Sequence, residues 1–111
     1  MASIIYSVTV KIETAINEEW LAWMQQHHIP DVLKTGCFTG CRMLRLLNEQ
    51  EDDGITYSIQ YTCNRLADYE TYRDRFSKQL QQQHFNRYEG RFVAFRTLLE
   101  QVDTFSSNSD H

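Results

Sequence analysis

The chain has 111 residues, of which 41% are apolar and 13% aromatic, enough for one domain with its own core and too many for a disordered tail. Fifteen Asp and Glu against eleven Lys and Arg leave a formal charge of −4, which argues against a general nucleic-acid binder working through a basic face. No window approaches about 18 consecutive apolar residues, and the N-terminus lacks a basic segment followed by an apolar run, so the expectation is a cytoplasmic protein that does not enter a membrane.

The elements follow in chain order. Ile4, Tyr6, Val8, Val10 and Ile12 alternate with Ser7, Thr9 and Lys11, the period of a half-buried strand over 4–13. A helix is expected next, with Asn17 as its N-cap, Glu18 and Glu19 in the first turn, and Ile16 and Leu21 at staple spacing. Trp20, Trp23, Met24, His27 and His28 continue it. Pro30 disfavours the helical region at Ile29, so the helix is expected to break there and a short second one to run through Lys34 to Gly36.

A second strand is read over 38–47, a polar turn over 48–54, and the clearest strand over 55–63, where Ile55, Tyr57, Ile59, Tyr61 and Cys63 share one face. A long helix follows, with an apolar stripe of Leu66, Tyr69, Tyr72 or Arg73, Phe76 and Leu80, and Gly90 stops it. The last strand covers 91–102. The domain is expected over 1–103, with a flexible polar tail over 104–111.

The order β-α-β-β-α-β is the ferredoxin-like, split βαβ pattern of the α+β class: a four-stranded antiparallel sheet with two helices on one face. The other face carries Ser7, Thr9, Ser58, Gln60 and Thr62. It is open to water or meets its copy in a homodimer joined through the sheet, a dimeric α+β barrel; the dimer is the expectation. Cys37, Cys41 and Cys63 are an odd set without zinc spacing, so free thiols and no structural metal are expected.

"HIPDVLKTGCF", "RMLRLL", "TYSIQY" and "QQQHFNRYEGRFVAFRTLLEQV" together resemble a bacterial family of short ferredoxin-like proteins of unknown function, similar in fold to the dimeric α+β barrel superfamily. The resemblance runs from about Ile5 to Val102. It implies the fold, and it leaves function open, because that superfamily includes cofactor-free monooxygenases, muconolactone-type isomerases, haem-handling proteins and proteins of no known reaction. Its nearest echo of a site is His28 followed by Pro30.

The stretch "WLAWMQQHHIPD" concentrates the candidate chemistry. His27 and His28 point about 100° apart on a helix and cannot share a metal. In the plain reading one of them donates to carbonyls freed at Pro30 and the other is solvated. In the functional reading His28 lines a pocket between helix and sheet and moves a proton. Asp31 suits the dipole of the short helix and could orient His28. Trp20, Tyr6 and Tyr57 offer flat walls and hydroxyls, more often core than platform. Arg42, Arg45 and Arg96 lie on strands, and an inward Arg could hold an anion. Arg45 joins the candidate ligand set, although the second strand has an Arg on each face and its register stays open. The acidic run over 49–53 is read as a solvated turn.

No motif calls for a nucleotide, metal or other cofactor. Two readings stand: a homodimeric small-ligand-binding or non-catalytic protein, and a cofactor-independent enzyme of monooxygenase or isomerase type acting on a small aromatic or carbonyl compound, with His28 as acid and base. The room between helices and sheet discriminates them.

Overall fold

The computed structural model describes residues 3–48 and 54–107; the acidic turn over 49–53 and the last four residues of the expected tail lie outside the described residues. The first alternation becomes β1, Ile4–Glu13. The remaining strands are β2, Gly40–Arg45, β3, Gly54–Cys63, and β4, Phe92–Glu100. They form one sheet in the order β2-β3-β1-β4. Every neighbouring pair is antiparallel, with Tyr6 opposite Tyr61 and Leu98, and Val8 opposite Ile59 and Arg96. This is the ferredoxin-like arrangement.

The helical layer departs from the sequence expectation in three places. A 3-10 turn, Thr14–Ile16, precedes α1, Asn17–Trp23. Asn17 is therefore already helical (φ −58°, ψ −45°), whereas an N-cap takes an extended conformation. The cap position falls to Ile16, which makes no side-chain cap bond. The Asn17 Oδ1 is used elsewhere: it accepts from the Tyr57 hydroxyl at 2.6 Å.

Second, Pro30 does not break the helix. A π-helical turn, Met24–His28, joins α1 to α2, Ile29–Lys34, and Ile29 stays helical (φ −63°, ψ −45°), its N–H reaching back five residues to the Met24 carbonyl. Proline lacks an N–H and crowds the carbonyl four residues earlier. The wider turn spreads those carbonyls, so the chain absorbs Pro30 without ending the helix. Gly36 (φ 78°) closes α2 and Gly90 (φ 77°) follows the last helix, both as expected of stop residues.

Third, the long helix is two. Phe76 adopts φ −126°, ψ −31° between α3, Leu66–Arg75, and α4, Ser77–Tyr88. The stripe settles on Tyr72 rather than Arg73, Leu66 stays exposed, and α4 buries His84 and Tyr88.

The core lies between this layer and one sheet face: Ile4, Tyr6, Val10 and Ile12 of β1, Tyr57, Ile59, Tyr61 and Cys63 of β3, with Trp20, Met24, Val32, Tyr72 and Tyr88 from the helices. The open face is less polar than its β1 and β3 residues implied. β4 adds Val93, Phe95 and Leu99, paired opposite Lys11, Thr9 and Ile5, and Phe95 is 63% and Val93 68% exposed. β2 adds exposed Leu44 opposite Ser58. Among the described residues no helix is long and apolar enough to cross a membrane. Cys37, Cys41 and Cys63 stand as free thiols.

Candidate functional site

Trp20 sits under the helices with no exposed surface. Its indole N–H donates to Nε2 of His84 at 2.9 Å. An indole nitrogen can only donate, so His84 is a neutral imidazole with its proton on Nδ1. His84 lies edge-on to Phe92 of β4, with ring centroids 4.4 Å apart. His28 approaches from the end of the π turn, its ring 5.8 Å from that of His84 and stacked on Trp23 at 5.2 Å.

These two imidazoles line a cavity between helices and sheet whose walls also include Tyr6, Met24, Tyr72, Gln81 and Arg96. Its interior is about 30 Å³, room for one or two waters. It shares Gln81, His84, Phe92, Ala94 and Arg96 with an outer groove of about 580 Å³ between α4 and β4. Arg96, exposed itself, stands where the two spaces meet.

Burial sets the electrostatics. It pushes His28 and His84 down to about 4, and the Arg96 charge pushes both the same way; each is neutral at pH 7. Burial raises the Tyr6 hydroxyl too, against the pull of Arg96 beside it. Tyr61 and Tyr72 are raised for the same first reason. All three hydroxyls therefore keep their protons at neutral pH. Gln81 Nε2 donates to the Tyr6 hydroxyl at 3.5 Å. Nδ1 of His28 is buried and has no hydrogen-bond partner.

The sequence candidates divide accordingly. His28 and Tyr6 line the cavity. Trp20 stands behind it, holding His84. Tyr57 packs on Trp20 with centroids 5.1 Å apart, and its hydroxyl is spent on Asn17. Asp31 does not bond to His28; it faces Lys34 at 3.9 Å and lines an outer groove with Trp23 and His27. Arg45 pairs opposite Tyr57, which places it on the helix-side face, yet it is exposed at the strand end and away from the cavity. The inward Arg is Arg96. His27 is exposed, as the plain reading had it, but Nδ1 of His28 donates to no carbonyl.

Sequence reasoning passed over His84 and Gln81 as site residues, and it weighed Arg96 only as one of three strand arginines, carrying Arg45 into the candidate set instead. The signal existed for Arg96: in "FVAFRTLLE" it falls in phase with Phe92 and Ala94, on the side away from Phe95. His84 lies one helical repeat after Leu80 and one before Tyr88, in phase with the inward stripe of α4. Among the described residues, no group of three or more His, Cys, Asp or Glu could hold a metal ion.

Residues 3–102 match the family described as Domain of unknown function (DUF4286). No curated protein matches the chain in sequence. A solved dimeric ferredoxin-like protein from an uncultured marine organism is similar in structure, with a TM-score of 0.69 at 12% identity, over 95% of this chain and 100% of that one. HapK from Hahella chejuensis is similar with a TM-score of 0.62 at 14% identity, over 96% of this chain and 98% of its own. At such identities the likeness is one of fold.

Proposed function

The chain belongs to that family of unknown function, and from its own residues we propose that it is a homodimeric small-ligand-binding protein whose ligand enters the cavity beside His28 and His84. One observation carries this reading: a buried imidazole nitrogen without a partner, on a residue that lines a cavity with room to fill. An unmade bond at a buried polar atom costs about 1–3 kcal/mol. A ligand, or a water that a ligand displaces, recovers it. The outer groove, which shares five lining residues with the cavity, is about 580 Å³, within the range of small-molecule sites, roughly 300–1,000 Å³.

The enzymatic alternative has less support. A general acid or base works best with a pKa near the operating pH, and both imidazoles lie near 4. Neither holds a proton to give at pH 7, and each is a weak base there. Trp20 already occupies Nε2 of His84. A cofactor-free oxygenase or isomerase would need His28 retuned upward on binding.

The homodimer is supported by the open sheet face. Val93, Phe95 and Leu99 make the β4 side of this face too apolar to be left in water without reason, with Leu44 exposed apart from them on β2. The structurally similar marine protein is itself described as dimeric.

The test is a fragment screen read by thermal shift and indole fluorescence, repeated on His28→Ala. Fragments that stabilise the parent, perturb the indoles and lose their effect in the folded variant are the expected result. A screen whose hits are unaffected by His28→Ala counts against the site.

A further inference from the structure

Resting on the ligand-site reading above, we infer that the ligand is a monocarboxylic acid with a narrow apolar body, held head-first: its carboxylate at Arg96 inside the cavity, its body in the groove between α4 and β4.

The charge distribution is the first argument. The chain carries fifteen acidic residues and a net charge of −4. None of the residues lining the cavity or its groove is Asp or Glu, while Arg96 lines both and Lys78 lines the groove. Four other arginines are matched: Arg65 with Asp68, Arg73 with Asp74, Arg87 with Glu19 and Arg91 with Glu13; Arg75, remote from the cavity lining, lies over the Phe76 ring. Among the described residues Arg96 has no carboxylate within ion-pair distance. Its guanidinium is the fork-shaped donor that fits a carboxylate with two parallel bonds.

Size and charge then choose the head group. The inner space of about 30 Å³ takes the two oxygens of a carboxylate in place of one or two waters. One guanidinium balances one negative charge. A phosphate dianion would bring a second charge into a cavity whose remaining walls are neutral, and an unmatched buried charge is costly. Tyr6, Tyr72 and Gln81 add neutral donors around the same space.

The groove chooses the body. Phe85, Phe92 and Val93 line it, with Lys78 and Gln82 at its outer edge. Phe85 is 45% exposed in the free chain. Covering such apolar area is favourable in proportion to the area removed from water. A free acid with an aryl or short acyl chain has this division between head and body.

The experiment titrates the protein with benzoate, phenylacetate and hexanoate, with the three matching neutral amides, and with inorganic phosphate. Indole fluorescence and amide NMR shifts are the readouts, for the parent, Arg96→Gln and Arg96→Lys. At least one acid is expected to bind roughly tenfold or more tightly than its amide, the size of one charge-assisted pair. Arg96→Gln should remove that preference by weakening the acids far more than the amides; Arg96→Lys should keep part of it. Amides that bind the parent as well as the acids do would overturn the carboxylate inference while leaving the ligand site standing. Phosphate that binds as tightly as the acids, or acids that bind Arg96→Gln unchanged, would overturn it as well. If neither acids nor amides perturb the parent at millimolar concentration, the inference and the ligand-site reading fall together. The acid-to-amide ratio in the parent decides the matter even if a variant fails to fold.

Discussion

Trp20 and His84 meet across the core, 64 positions apart in sequence, through a single hydrogen bond of 2.9 Å from the indole N–H to Nε2. The bond joins α1 to α4, fixes the tautomer of His84, and leaves His28 as the imidazole with a nitrogen to spare.

Removing the acceptor while keeping the bulk isolates that bond. His84→Phe should cost about 1–3 kcal/mol in urea unfolding, the penalty for a buried N–H left without a partner. His27→Phe, on exposed surface, should stay within about 0.5 kcal/mol. Equal effects at the two positions would show that the indole N–H finds another partner.

The histidines also set a pH dependence. Folded, both lie near 4, because burial disfavours their charged forms; unfolded, an imidazole returns to about 6.5. Between those values the unfolded state binds more protons, so stability rises with pH there and falls as pH drops from 6.5 toward 4. The loss should be on the order of 2–3 kcal/mol, at about 1.4 kcal/mol per unit and reduced for partial exposure. His28→Gln/His84→Gln should flatten the curve over that window. A parent whose denaturation midpoint is level from pH 6.5 to 4.5 would contradict the burial argument.

Asn17 offers a sharper test of what a side chain is for. As a helix cap it would tolerate Ser, which caps equally well. As the acceptor of the Tyr57 hydroxyl it should not. Asn17→Ser and Tyr57→Phe should each cost about 0.5–1.5 kcal/mol, and the double variant little more than either alone. Full additivity would mean that the two do not act as a pair.

For the open sheet face, light scattering of the parent at micromolar concentration should give twice the chain mass of 13.2 kDa. Phe95→Glu should return a folded monomer, since an unpaired carboxylate at the centre of an interface is strongly disfavoured. A parent of single chain mass sinks the dimer proposal.

The sheet was readable from the sequence because period-two alternation in 4–12 and 55–63 reports directly which side chains face inward. Tyr6, Tyr57 and Tyr61 lie where that alternation put them. The site was harder to read because it is assembled from phases that local patterns do not carry. Pro30 suggested a break that the π turn removed. The kink at Phe76 decided which face of α4 turns inward, and with it the fate of His84. The phase of Arg96 with Phe92 and Ala94 was legible, but Arg45 shares its side of the sheet, and only the pairing of Arg96 opposite Val8, with Arg45 at the strand end opposite Tyr57, put Arg96 at the cavity. Asp31 entered the candidate set by proximity along the chain, which is not distance in space, and Arg45 as a strand arginine whose position along the sheet no local pattern could set.

The π turn has one more consequence, for how this segment can change length. It accommodates one more residue than an α-helical turn would over the same span, and every position beyond it is rotated by about 100° relative to an unbroken helix. Deleting a single residue from Met24–His28 would restore regular helical geometry and leave α2 close to its present phase, so Val32, now fully buried, would stay inside. The strain of that loss would fall at Pro30, whose ring the spread carbonyls now accommodate. Straightening the turn without a deletion would instead rotate α2 by about 100°, turning Val32 toward water and His28 away from Trp23. The turn is thus a spacer, and its extra residue should tolerate loss only where Pro30 is lost with it.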